Sequence, residues 1–338
     1  MSSALFVYVV EGCFMAKEQK TFYGGQAVME GVMMRGPKDF CVAVRNPKGE
    51  IEHKSEKIVT SRPVEVLGKV PILRGIVRLG SSMVVGMKVM TASAEMSGLD
   101  DGEEAPSKFD RWLERKFGDK LTNVLIIVAV ILSLGFSVAM FMILPTWLSG
   151  FLAPVLGDNL WALGIVEGLV RLAIFLIYLG LISRLKDIQR VFQYHGAEHM
   201  VINCYEAGEE LTPENAAKHS RLHKRCGTSF LLFVMLISMI FFLFVRTDEM
   251  WLRLVSRVLF VPFIAGISFE VIRWAGISNS IIVRILSWPG FMLQRITTAV
   301  PDEKQLEVAI AALEGVFEAE RGKSVENSGV EGMGQETN

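Results

Sequence analysis

Residues 123–148 read Asn-Val-Leu-Ile-Ile-Val-Ala-Val-Ile-Leu-Ser-Leu-Gly-Phe-Ser-Val-Ala-Met-Phe-Met-Ile-Leu-Pro-Thr-Trp-Leu, without one charged side chain. A helix needs roughly 20 such residues to cross a bilayer. Residues 228–245 are equally free of charge, and residues 160–183 carry only Glu167 and Arg171. A weaker run, 254–276, holds Arg257, Glu270 and Arg273. Arg257 and Arg273 lie near its ends, where long side chains can snorkel to the interface. These runs predict four spans. The shorter piece 277–293, with Arg284 and Pro289, reads as interfacial.

Composition agrees. Of 338 residues, 51% are hydrophobic and 21% charged, and mean hydropathy is +0.38. That excludes a disordered chain and argues against an ordinary soluble enzyme. Lys and Arg number 35 against 36 Asp and Glu, so no basic excess points to nucleic acid. Four cysteines without a C-x-x-C pair read as reduced thiols.

Orientation follows from the loop cations. Residues 1–122 carry 18 Lys and Arg, residues 150–159 none, residues 184–227 seven and residues 246–253 two. Both termini and the long middle connection are therefore expected in the cytoplasm of a multi-pass inner-membrane protein. Ala4 to Val10 is apolar but lacks a basic flank, so it is not read as a signal peptide. Met15 offers an alternative start.

Upstream of the spans, Phe40 to Arg45 and Ile51 to Ile58 flank Asn46-Pro-Lys-Gly49, a hairpin signature. Before it, Gly24-Gly-Gln-Ala-Val-Met-Glu30-Gly-Val-Met-Met-Arg35-Gly-Pro37 suggests tight turns. It reads either as a ligand loop, with Glu30 and Arg35 as its charged groups, or as the start of a small sheet. It fits neither the dinucleotide fingerprint nor the P-loop. Pro71 to Met96 reads as a helix whose Arg74, Arg78 and Lys88 place it on the membrane surface or against the bundle. An acidic linker follows.

Four of the five histidines fall between residues 195 and 223. His195-Gly-Ala-Glu198-His199 sets two imidazoles at i and i+4 on one helical face, with Glu206 returning to that stripe. His219 and His223 repeat the spacing, with Cys226 beside them. Thr212-Pro213 begins a second helix that Gly227 would end, giving a helical hairpin with facing ligand stripes. Imidazole, thiolate and carboxylate are ligands for a divalent metal, zinc first, with manganese or iron as alternatives. His195, His199, His219, His223, Glu206 and Cys226 compete for it. Glu198 reads as a hydrogen-bond partner of the ligands or as a general base that takes a proton from an attacking water, with Glu30 and Arg35 as substrate-binding groups. The bland alternative is a juxtamembrane hairpin whose histidines meet lipid phosphate or carboxylates.

Glu167/Arg171 and Glu270/Arg273 read either as a polar pathway or as self-neutralised pairs that fix packing. Glu270 could also reach the histidine hairpin. From Pro301 the chain reads as a helix with Leu306, Ile310, Leu313 and Phe317 on one stripe.

The quoted glycine-rich opening, Pro71-Ile-Leu-Arg-Gly75, Tyr194 to His199, His219 to Gly227 and Pro301-Asp302 resemble the YqhQ-like bacterial membrane family. The resemblance spans roughly residues 22–317. It implies a bacterial membrane protein described as a predicted metal-dependent enzyme, and it brings no substrate.

The expected architecture is mainly α, a polytopic helical membrane protein with a small cytoplasmic β-rich N-terminal part and a cytoplasmic helical hairpin. The segments are an extension (1–21), a glycine-rich loop and β-hairpin (22–62), a surface helix and linker (63–122) and spans one and two (123–183). The histidine hairpin (184–227), spans three and four (228–276), interfacial and C-terminal helices (277–321) and a disordered tail (322–338) complete the chain. The leading function is metal-assisted hydrolysis of a membrane-associated or phosphate-bearing substrate at the bilayer. The alternatives are a scaffold or regulator stapled by a structural metal, and a transporter.

Overall fold

A computed structural model describes residues 23–58, 62–98, 121–156, 159–245, 250–278 and 280–331. The expected N-terminal extension, the acidic linker and residues 332–338 lie outside the described residues.

The glycine-rich opening forms strands. β1 (Gly24–Val28), β2 (Gly31–Arg35), β3 (Asp39–Arg45) and β4 (Ile51–Lys57) make an antiparallel meander in sequence order. Val28 pairs with Gly31 across a two-residue turn, where Glu30 takes a φ of 53°. At the turn between β3 and β4, Asn46 Oδ1 accepts the N–H groups of Lys48 and Glu50, while Gly49 supplies a φ of 88°. The 24–37 stretch is thus the start of a sheet, the second of its two sequence readings.

Alternation along the strands feeds two cores. Val32, Met34, Cys41 and Ala43 face one cluster; Val28, Met33, Phe40, Val42 and Val44 face another. α1 (Arg62–Leu67) leads to α2 (Leu73–Met96), whose Val89 closes the second cluster.

Among the described residues, four helices are long and apolar enough to cross a membrane. The first combines α3 (Leu121–Val138), a π-helical turn (Ala139–Ile143) and α4 (Leu144–Gly150). After the short α5 (Ala153–Leu156), α6 (Leu160–Ile182) is the second. Then come α7 (Lys186–Ala207) and α8 (Pro213–Ala216). α9 (Gly227–Phe244) and α10 (Met250–Ile277) are the third and fourth apolar helices. α11 (Ile281–Thr297) is inside-out for a water-soluble helix: Ser287, Gln294 and Thr297 are buried, while Ile282, Ile285 and Trp288 are exposed. α12 (Glu303–Glu331) ends the described chain and continues beyond Gly322, where the sequence reads as coil. Its expected stripe of Leu306, Ile310, Leu313 and Phe317 packs in the first cluster, with Tyr194, Ala197 and Val201 of α7.

Among the apolar helices the charges turn inward. Glu167 of α6 pairs with Arg171 at 2.9 Å and also with Arg257 of α10, which is buried rather than snorkelling. Thr146 donates to the same carboxylate at 3.0 Å. The π-helical turn contributes the Phe141 carbonyl, which accepts from Arg171 Nε at 2.9 Å. Glu270 is held by Arg74 of α2 through both carboxylate oxygens, so its main partner is on α2 and not the histidines. That pairing needs close approach. Gly75 and Gly266 meet where α2 crosses α10, and a Cβ on Gly75 would lie 2.9 Å from the Gly266 Cα. Ile72 forms the centre of a γ-turn, φ 67° and ψ −53°, with Leu73 N–H donating to Pro71 O at 2.8 Å.

Candidate metal centre

The two histidines of the first pair lie on α7 as the spacing requires, and their rings sit 4.5 Å apart. Each is oriented by a backbone carbonyl from elsewhere in the chain. His195 Nδ1 contacts Thr297 O at 2.8 Å, and His199 Nδ1 contacts Arg221 O at 2.6 Å. A carbonyl can only accept, so Nδ1 carries the proton in both rings and Nε2 keeps its lone pair when the ring is neutral. His195 Nε2 faces Cys226 Sγ at 3.3 Å. Ligating atoms of His195, His199 and Cys226 all lie within 4.8 Å of one another, so this group could hold a metal ion.

Cys226 reaches the group by a different route from the one its spacing suggests. The second helix of the expected hairpin stops after one turn, at Ala216. Asn203 Nδ2 donates to the carbonyls of Ser220 and Leu222, and His199 takes that of Arg221. Those carbonyls are therefore engaged by α7, and residues 217–226 lie along it without regular structure. Gly227 does not end a helix; it begins α9. Cys226 is that helix's N-cap, its Sγ accepting from Thr228 N–H at 3.4 Å. A helix N-terminus favours negative charge, which suits a sulfur ligand.

The remaining candidates separate. The His223 ring is 5.7 Å from that of His199, and its Nε2 faces Glu206 at 3.6 Å. Gln294 of α11 fixes His223 by accepting its N–H at 2.8 Å and donating to its carbonyl at 2.9 Å. Burial pushes the His223 imidazole below its ordinary range, favouring the neutral ring. Burial also works upward on Glu206, but His223 and Arg225 outweigh it and hold that carboxyl down to about 2. His219 belongs to another group, with Cys204 and Glu209.

Glu198 is buried, at 5% exposure, against the backbone of Gly25. Burial drives its carboxyl upward; His195 and a bond from the Gly25 backbone oppose that. Glu30 is committed to Arg190 and accepts from the Tyr194 hydroxyl at 3.3 Å. Arg35 donates to Ser82 at 3.2 Å and to Ser81 at 3.4 Å, on α2. Neither has its described partners among the metal-group residues. The sequence reading missed Gln294, Thr297 and Cys204. Gln294, a lone amide in an apolar stretch, carried a signal; the Thr297 carbonyl carried none.

A small sheet, four apolar helices and a His/Cys group between them define a helical protein of membrane type with a candidate metal centre. Residues 70–319 match the family described as "Protein of unknown function (DUF1385)". The Bacillus subtilis (strain 168) protein described as "Uncharacterized protein YqhQ" is 37% identical over 299 residues, 88% of this chain and 93% of that one. The chain belongs to this family. No solved structure matches it.

Proposed function

We propose that this is a multi-pass protein of the inner membrane whose sheet, α7 and α12 face the cytoplasm, and that it is a metal-dependent hydrolase. His195, His199 and Cys226 would hold a divalent ion, zinc by ligand chemistry. One observation carries the reading: both imidazoles are anchored through Nδ1, and ligating atoms of His195, His199 and the helix-capping thiol of Cys226 lie within 4.8 Å of one another. Three protein ligands leave a position for substrate, and the bound ion would supply Lewis acidity toward a substrate oxygen. Glu198, buried one residue from His199, is the proton acceptor for the attacking water. The substrate is membrane-associated or phosphate-bearing, since apolar helices flank the group.

The test is elemental analysis of detergent-purified protein beside a His195→Ala/His199→Ala double variant. Wild type should hold about one metal equivalent per chain more than the variant. Equal metal content in both proteins, after reloading, would sink the reading. A Glu198→Gln variant should keep the ion and lose roughly 100- to 10,000-fold in hydrolysis.

A further inference from the structure

Cys204 lies five residues beyond His199, so it projects from another side of α7, about 140° round the helix at roughly 100° per residue. There it meets two residues of the following loop. Gly208, in the left-handed conformation at φ 78°, turns the chain back, and Glu209 N–H donates to Cys204 O at 3.3 Å. After the single turn of α8, His219 returns with its Nε2 3.3 Å from the Glu209 carboxylate. Ligating atoms of Cys204, Glu209 and His219 all lie within 4.8 Å of one another. His219 Nε2 is closed off from solvent and makes no hydrogen bond among the described residues, so its ion-pair contact is the only described use of it.

We propose that Cys204, Glu209 and His219 form a second divalent-metal site, of zinc-like chemistry, separate from the histidine pair. Thiolate, imidazole and carboxylate together suit a borderline-soft ion and not magnesium or calcium, which prefer oxygen alone. Thiolate and carboxylate bring two negative charges to a dication. Glu209 is 45% exposed, which leaves water access for a fourth ligand. The role is positional. Asn203 and His199 already hold the carbonyls of residues 220–222 against α7. An ion between Cys204 and His219 fixes the start of that same stretch, which carries Arg221, His223 and Cys226 to the first group.

The test uses the full chain in detergent, loaded with cobalt, in a His195→Ala/His199→Ala background that disables the first group. This protein should bind about one cobalt per chain, with a thiolate-to-cobalt charge-transfer band in the near ultraviolet. Cys204→Ser should abolish the band, and Cys226→Ser should leave it unchanged. Glu209→Gln, at a 45% exposed position, should weaken cobalt binding roughly tenfold or more. Only monodisperse fractions are compared. A folded background protein that takes no cobalt, or a band that follows Cys226 and survives Cys204→Ser, would overturn the proposal. Neither result bears on metal held by wild-type His195 and His199, so the two sites are judged separately.

Discussion

Gly196 stands between the two ligand-bearing turns of α7, and a Cβ there would run into the Ala299 carbonyl. The segment it touches is the one that orients His195, through Thr297 O, and that ties back to α7 by Ala299 N–H donating to Phe192 O at 2.8 Å. Gly196→Ala should therefore cost about 1–3 kcal/mol by overpacking and also reduce metal retention. Thermal unfolding in detergent and elemental analysis read the two effects separately. Glu206 gives a pH-dependent expectation. Its folded carboxyl is held at about 2 against an ordinary 4.5. The group binds its proton less readily folded than unfolded, so its contribution is present above pH 4.5 and is lost as pH falls toward 2. Glu206→Gln should flatten the loss of stability across that window. The side chain is one-third exposed, so solvent screening keeps the effect small. Unfolding midpoints of both proteins at a series of acid pH values check this.

Among the elements, those made by local rules were legible. Each of the four apolar runs became a helix, the Asn46–Gly49 turn joined its strands, and α12 buried its stripe. The expected second histidine helix failed for a non-local reason. Thr212 and Pro213 do start it, but side chains of α7 engage the carbonyls that its continuation would need. Spacing therefore put His195 and His199 on one face of α7, whereas the fold groups His219 with Cys204 and Glu209, and Cys226 arrives through a helix cap. Arg257 was misjudged for a similar reason: nothing local to α10 announces Glu167 on α6. Removing that carboxylate strands two arginines among apolar helices. Glu167→Gln should destabilise the bundle by about 3–5 kcal/mol, and the added change Arg257→Met should recover part of it. Denaturant titration in a fixed detergent measures both. If Glu167→Gln instead leaves stability intact, the carboxylate is not a packing element.

At the scale of the whole molecule, the proposed orientation puts the sheet on the cytoplasmic side. Lys54 of β4 is well exposed, and Cys41, Cys204 and Cys226 are buried. In a Cys13→Ser background, a Lys54→Cys variant should react with an impermeant maleimide in inside-out vesicles and resist it in intact spheroplasts. The reverse pattern would invert the topology. The last feature concerns α12, which covers the sheet and α7 together. It is also among the last segments to be synthesised, after all four apolar helices have emerged. Until then Val32, Met34, Cys41 and Ala43 lack the apolar stripe of α12, and His195 gains its Thr297 carbonyl only at the end of α11, after those four helices. A nascent chain thus carries an unfinished head through the whole period of membrane insertion. Loading the proposed site with an ion would be a late maturation step, and a chain truncated before α12 would display a greasy sheet to the quality-control machinery.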